Sequence, residues 1–267
     1  MPTAQRLPRA PETSPAPSQR RQFFVAAGLL VAGDAVFWAM LAAVQSDSGM
    51  AAWDGPVHDG LVASRSPLAT AALAAVSTVT SPLWMTVIGF AFALGWAAWK
   101  RELWRPALLI GAMAATFAVS TLIKHEVVRA RPAAGDFLMG PDDALSFPSG
   151  HTFGAGVFLL VLAYMFVAGR GRRSTSVLAF SAAGGGTVLV ALSRLYLGYH
   201  WLTDVFASLG LAVAVTGIVI LADGLRTARS SRQSGAGVAD GQSSDARLKG
   251  ARLESDAHGL GDHYGRG

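Results

Sequence analysis

Three polar clusters interrupt a strongly apolar chain, and each carries side chains suited to phosphate chemistry. The most compact is Pro148-Ser149-Gly150-His151, which opens the apolar run 152–168 and so predicts the N-terminal turn of a helix. The first N–H groups of such a turn lack intrahelical partners and the helix dipole adds partial positive charge there, which makes the turn an anion site. Ser149 suits the N-cap, Gly150 lets a ligand approach the backbone, and His151 can donate or accept a proton near neutral pH. Upstream, the segment Lys124 to Pro132 sets Lys124 and Arg131 seven positions apart, about two helical turns, and thus on one face wherever the helix persists that far. Downstream, the segment Ser193 to Asp204 contains Arg194 and ends with His200 and Asp204 at i, i+4, one above the other on a helix face.

The elements that position these clusters are set by hydropathy. With 267 residues, 52% hydrophobic and 15% charged, the chain is more apolar than a soluble domain of its length and is expected to be an all-α integral membrane protein. There is no cysteine, hence neither a disulfide framework nor a thiolate metal site. Runs of membrane-spanning length predict about six transmembrane helices: 23–44, 83–99, 106–123, 152–168, 177–192 and 201–221. Asp34 within the first run is expected to face the bundle or lie near a polar partner. The apolar stretch 67–80 is short for a span, followed by Ser81-Pro82, and reads as an interfacial helix or a half-entering one; 45–66 reads as a polar loop. Residues 1–22 and 225–267 have compositions that cannot bury a core and are expected to be disordered tails flanking a transmembrane domain at 23–224.

The net charge of +5 comes mainly from basic stretches beside apolar runs, a signal of membrane orientation rather than nucleic-acid binding. The basic segments 1–22, 100–105, 169–173 and 226–232 fall on one side and assign both termini to the cytoplasm. The connections holding 124–151 and 193–204 then open on the external face. Cations there depart from the charge pattern, as they would if an anionic substrate binds at the outer interface.

The full spacing, Lys-x6-Arg-Pro, then Pro-Ser-Gly-His, then Ser-Arg-x5-His-x3-Asp, occurs here in order. In this the chain resembles the type 2 phosphatidic acid phosphatase superfamily, which includes lipid phosphatases and, on soluble helical folds, vanadium haloperoxidases. The motif resemblance covers residues 124–204, with no departure at its defining positions. It implies that His200 is a nucleophile toward phosphorus, supported by Asp204. His151 is then the acid that protonates the leaving oxygen and later the base that activates water. Lys124, Arg131 and Arg194 hold the phosphoryl oxygens, with Ser149 and the Gly150 N–H adding hydrogen bonds and no metal or other cofactor required.

Other polar residues in the motifs are assigned plainer roles. His125, Glu126 and Arg129 read as local salt-bridge or headgroup contacts; Tyr196, Tyr199 and Trp201 as interface anchors; Asp136, Asp142 and Asp143 as a solvated loop rather than a metal cluster. The expected activity is a metal-independent membrane phosphatase acting on a lipid phosphate or diphosphate at the external leaflet: phosphatidate, phosphatidylglycerol phosphate or a polyprenyl diphosphate. A vanadium-dependent haloperoxidase and a non-catalytic protein that binds or moves anionic lipid are the alternatives. The many spans disfavour the first, and the presence of both histidines with Asp204 disfavours the second.

Overall fold

A computed structural model describes residues 17–168 and 173–261. The basic segments 1–16 and 169–172 lie outside the described residues. Among the described residues the protein is all-helical: α1 Pro17–Ser46, α2 Asp54–Ala63, α3 Pro67–Val79, α4 Pro82–Lys100, α5 Trp104–Val127, α6 Gly150–Val167, α7 Arg173–Tyr196 and α8 Leu202–Gly261, with short 3₁₀ turns at Gly49–Trp53 and Ala134–Asp136. Six helices are long and apolar enough to cross a membrane, each overlapping one predicted span. The protein is a multi-pass membrane protein.

The chain divides into a unit Arg21–Ala222, which holds the bundle and every site residue, and a second unit from the remaining residues at both ends. The described parts of the second unit, 17–20 and 223–261, are helical. Low hydrophobicity does not by itself preclude a helix, and the chain has no proline after Pro148 to break one.

Burial sorts the six long helices into two kinds. In α6 and α8, 61% of the span window is buried, against 17–28% in the other four, so α6 and α8 form the centre and the others present apolar side chains outward. Phe153, Val157 and Val161 of α6 and Ala207, Leu211 and Ala212 of α8 belong to one buried cluster. Lipid offers helices no hydrophobic drive to associate, so close contact relies on small residues. A Cβ on Gly33 of α1 would lie 2.4 Å from the Gly210 carbonyl of α8, and one on Gly210 would lie 2.7 Å from the Gly33 carbonyl.

Between the spans the chain is more ordered than a polar loop. Residues 54–63 form α2, and its Asp54 and His58 are buried. α3 begins at the N-cap Ser66 with Pro67 next, and at 13 residues it is about 20 Å long, too short to span. Its Ala69, Leu73 and Ala74 pack against Tyr196, Leu197 and Tyr199. α5 stops at Val127 because Val128 takes a left-handed conformation at φ 49°, costly for a β-branched residue. Arg131 also precedes proline, which disfavours helix. Helical spacing therefore does not align Lys124 with Arg131, as the sequence predicts; the turn after α5 folds the loop back toward the helix end.

Gly210→Leu should destabilise the protein by about 1–3 kcal/mol or more, because two backbones meet at that crossing. A lowered thermal midpoint in detergent is expected, and a midpoint equal to wild type would contradict the packing.

Candidate active site

The ends of four helices and one loop build the site. Lys124 lies at the C-terminal end of α5, Gly150 and His151 in the first turn of α6, Arg194 near the end of α7, and Asp204 in the first turn of α8. Arg131 comes from the loop after α5, and His200 from the short turn joining α7 to α8. That turn is tight at Gly198, whose φ is 87° and where a Cβ would lie 2.5 Å from the Asp136 carbonyl, so only glycine fits.

Asp204 has no solvent exposure. Its Oδ1 accepts from Arg129 Nη1 at 2.6 Å, and its Oδ2 accepts from the Trp201 N–H at 2.9 Å and from Ser146 Oγ. His200 Nδ1 lies 3.3 Å from the same Oδ2. Burial first, then the positive charges of Arg131, Arg194 and Lys124, hold the His200 imidazole well below the usual histidine range. The ring is therefore neutral, Nδ1–H donates to Asp204, and Nε2 carries the lone pair.

Three cations lie within electrostatic range of His200, and Arg131 meets its Nε2. Arg131 Nη1 lies 3.2 Å from His200 Nε2 and donates to the Tyr199 carbonyl at 2.7 Å. Arg194 is 3% exposed; its Nη1 donates to Ser77 Oγ of α3 at 2.6 Å, and its guanidinium lies 4.3 Å from the centre of the Tyr199 ring. Arg194 Nε is buried with no acceptor among the described residues, a donor that a phosphoryl oxygen can satisfy. Lys124 Nζ donates to the Leu145 carbonyl. His151 is half-buried and within electrostatic range of Arg194, His200, Arg131 and Lys124.

The loop before α6 lies over this cradle. Asp142 Oδ2 is 2.9 Å from Arg131 Nη2 and 4.0 Å from Arg194 Nη2, and Ala144 offers its carbonyl to Arg131 Nε at 2.5 Å. An acidic side chain and two carbonyls thus take the donors that a phosphate would use. The sequence-based expectation of a solvated Asp142 is corrected. No group of three metal-ligating side chains occurs among the described residues, and Asp136 instead pairs with His58 at 3.1 Å.

Other expectations shift as well. Ser149 caps α6: its Oγ lies 3.0 Å from Thr152 Oγ1 and accepts from the Thr152 N–H at 3.5 Å, so it is turned into the helix. Tyr199 is buried and stacks on Phe137, while the buried Tyr196 hydroxyl accepts from the Ser66 N–H at 2.7 Å. Both are site supports rather than interface anchors. Arg129, expected to make peripheral contacts, bridges Asp54 and Asp204. Nothing in the sequence marks Asp54, Ser77 or Ser146 as members of this site, because their partners are 58 to 149 residues away.

An apolar cavity of about 450 Å³ opens beside the cradle. Met85 and Phe90 of α4 and Ile110, Met113 and Phe117 of α5 line it, and Lys124 and Gly150 form its polar end.

Residues 105–227, just under half of the chain, match the model of the PAP2 superfamily. Among its relatives is phosphatidylglycerophosphatase B of Bacillus subtilis (strain 168), 31% identical over 115 residues, which are 42% of this chain and 55% of that protein, so the match spans about half of that relative. The crystal structure of a transmembrane PAP2-type phosphatidylglycerolphosphate phosphatase from Bacillus subtilis shares the fold with a TM-score of 0.65 at 22% identity, over 72% of this chain and 96% of that one.

Asp142→Asn should tighten orthovanadate binding several-fold, about 1 kcal/mol, since it removes the carboxylate that competes for Arg131 and Arg194. Titration calorimetry of the detergent-solubilised protein checks this. Unchanged or weakened binding would show that Asp142 does not contest the anion seat.

Proposed function

We propose that the protein is a metal-independent lipid phosphatase that works by double displacement through a phosphohistidine. The observation that carries this reading is that Lys124 and Gly150 sit at the junction of the cationic cradle and the apolar cavity. An anionic head and a greasy chain have adjoining places, and the cavity volume lies within the roughly 300–1,000 Å³ range of small-molecule sites.

Arg131 already touches His200 Nε2, so a phosphoryl oxygen that takes over this guanidinium brings phosphorus within attacking range of the same nitrogen. His200 Nε2 forms a bond to phosphorus while the bond to the leaving oxygen breaks. His151 gives that oxygen a proton. Asp204 supports the positive ring that forms, as carboxylates do in hydrolase triads. In the second half a water attacks phosphorus, the N–P bond breaks, and His151 takes the water's proton. Lys124, Arg131 and Arg194 spread the negative charge of both transition states, with the α6 N-terminus, Gly150 N–H included, adding to them. Phosphatidate, phosphatidylglycerol phosphate and polyprenyl diphosphates all carry the required head and chain. The name of the B. subtilis relative puts phosphatidylglycerol phosphate first in a panel.

The basic segments support an orientation with both termini in the cytoplasm, a transmembrane domain over 23–224 and the cradle at the external face.

The test is phosphate release by purified protein across that panel with EDTA present. Turnover should survive chelation, and His200→Ala should cut it by several orders of magnitude. Loss on chelation restored by Mg²⁺, or a His200→Ala rate above about a tenth of wild type, would sink the mechanism. Orientation is checked by single cysteines at Ala134 and Ser174, both exposed. An impermeant thiol reagent on intact cells should label position 134 alone, and labelling of 174 alone would invert the topology.

A further inference from the structure

We propose that Asp54 and Arg129 are positioning residues that set the charge and orientation of Asp204 and, through it, of His200. The inference rests on the phosphatase reading for its kinetic consequence and on geometry for the rest. Arg129 donates from Nη1 to Asp204 Oδ1 at 2.6 Å and from Nη2 to Asp54 Oδ2 at 2.6 Å, with all three side chains largely buried. Asp54 does not hold the guanidinium alone. Its Oδ1 accepts from the Thr203 N–H at 2.9 Å, its Oδ2 accepts from the Thr203 hydroxyl at 2.8 Å, and Arg129 Nη1 lies 2.7 Å from that hydroxyl oxygen. A carboxylate on α2, a guanidinium just past the end of α5 and the first turn of α8 are thus locked together next to the residue that accepts from His200.

The charge arithmetic gives Asp54 a purpose. A buried carboxylate persists as an anion only when paired. Arg129 supplies the pair, but a guanidinium bound to Asp204 alone leaves that pair neutral and draws the carboxylate's charge away from the imidazole. With Asp54 on its other nitrogen, Arg129 is shared, and the trio carries one net negative charge. When His200 Nε2 bonds to phosphorus the ring becomes cationic, and that negative charge is the one available to meet it. The Thr203 contacts add orientation: Asp54 accepts from the N-terminus of α8, favourable for an anion at that end of a helix, and fixes the turn on which Asp204 sits. Arg129 also offers its own carbonyl to the Ser146 N–H at 2.9 Å, and Ser146 donates to Asp204. One residue therefore aligns two of the groups bonded to Asp204.

Neither Asp54 nor Arg129 contacts the cations of the cradle, so their loss should separate chemistry from binding. Asp54→Asn keeps the shape of the side chain and removes the charge. In the expected outcome kcat falls about 10- to 100-fold on the best substrate of the panel, KM and the orthovanadate Kd stay within about two-fold, and Asp54→Glu or Arg129→Lys recovers part of the loss. The second readout needs no turnover. The Nδ1–H proton resonance of His200 in ¹⁵N-histidine-labelled protein, identified by its absence in His200→Gln, should move upfield in Asp54→Asn as its hydrogen bond to Asp204 weakens. A resonance that does not move overturns the proposal whatever happens to kcat, and vanadate affinity that falls in step with kcat reduces Asp54 to a structural brace and overturns it too. If wild-type protein hydrolyses no member of the panel, the phosphatase reading fails, while the resonance still decides the positioning claim.

Discussion

A carboxylate without solvent exposure, Asp204 at the start of the central helix α8, is the constraint on which the rest of the site depends. Left alone there it would be costly, and its neighbourhood is built to satisfy it. The turn that carries His200 places the Trp201 N–H on it, the loop before α6 places Ser146 on it, and the end of α5 sends Arg129. Each of these groups belongs to a different part of the chain. Satisfying one anion therefore draws together α5, the 129–149 segment and the α7–α8 turn, and the first two also carry Lys124 and Arg131. Alignment of His200 follows from the same bonds, since Nδ1 is held on the Asp204 oxygen and Nε2 is left toward Arg131.

The spans and the grouping of the candidate site residues were legible in the sequence for different physical reasons. Hydropathy reports burial in lipid directly, so α1 and α4 to α8 were readable from composition alone. Lys124, Arg131, His200 and Asp204 were readable because their spacing and types suit one reaction. The structure brings these residues together, but by a route that spacing did not disclose: α5 ends at Val127, and Arg131 returns by the loop. A seven-residue interval suggested a shared helix face, whereas a left-handed residue and a following proline determine the path.

What was not legible depends on pairs distant in the chain. Arg129 looked peripheral because its partners, Asp54 and Asp204, are each 75 residues away in opposite directions. Asp54 looked like one acid among several in a polar connection, since hydropathy does not distinguish a short helix packed on the bundle from a solvated loop. The aspartates of the 136–143 loop were hard to place for a further reason. Spacing does not say which cation a loop carboxylate meets, and Asp142 meets Arg131. Ser149 is the N-cap that its place before an apolar run predicts, and its hydroxyl lies beside Thr152.

The account turns on whether His200 Nε2 forms a bond to phosphorus, and that can be measured directly. In His151→Ala, a substrate with a good leaving group such as p-nitrophenyl phosphate needs no proton for the first step, while hydrolysis of the intermediate is slowed for lack of a base. Rapid quench followed by peptide mass spectrometry under alkaline conditions should find an acid-labile phosphoryl group on His200, with one equivalent of p-nitrophenolate released at the same rate. Steady release of p-nitrophenolate with no phosphoryl group on His200 at any time, or with the group on another residue, would contradict the assignment of His200 as nucleophile.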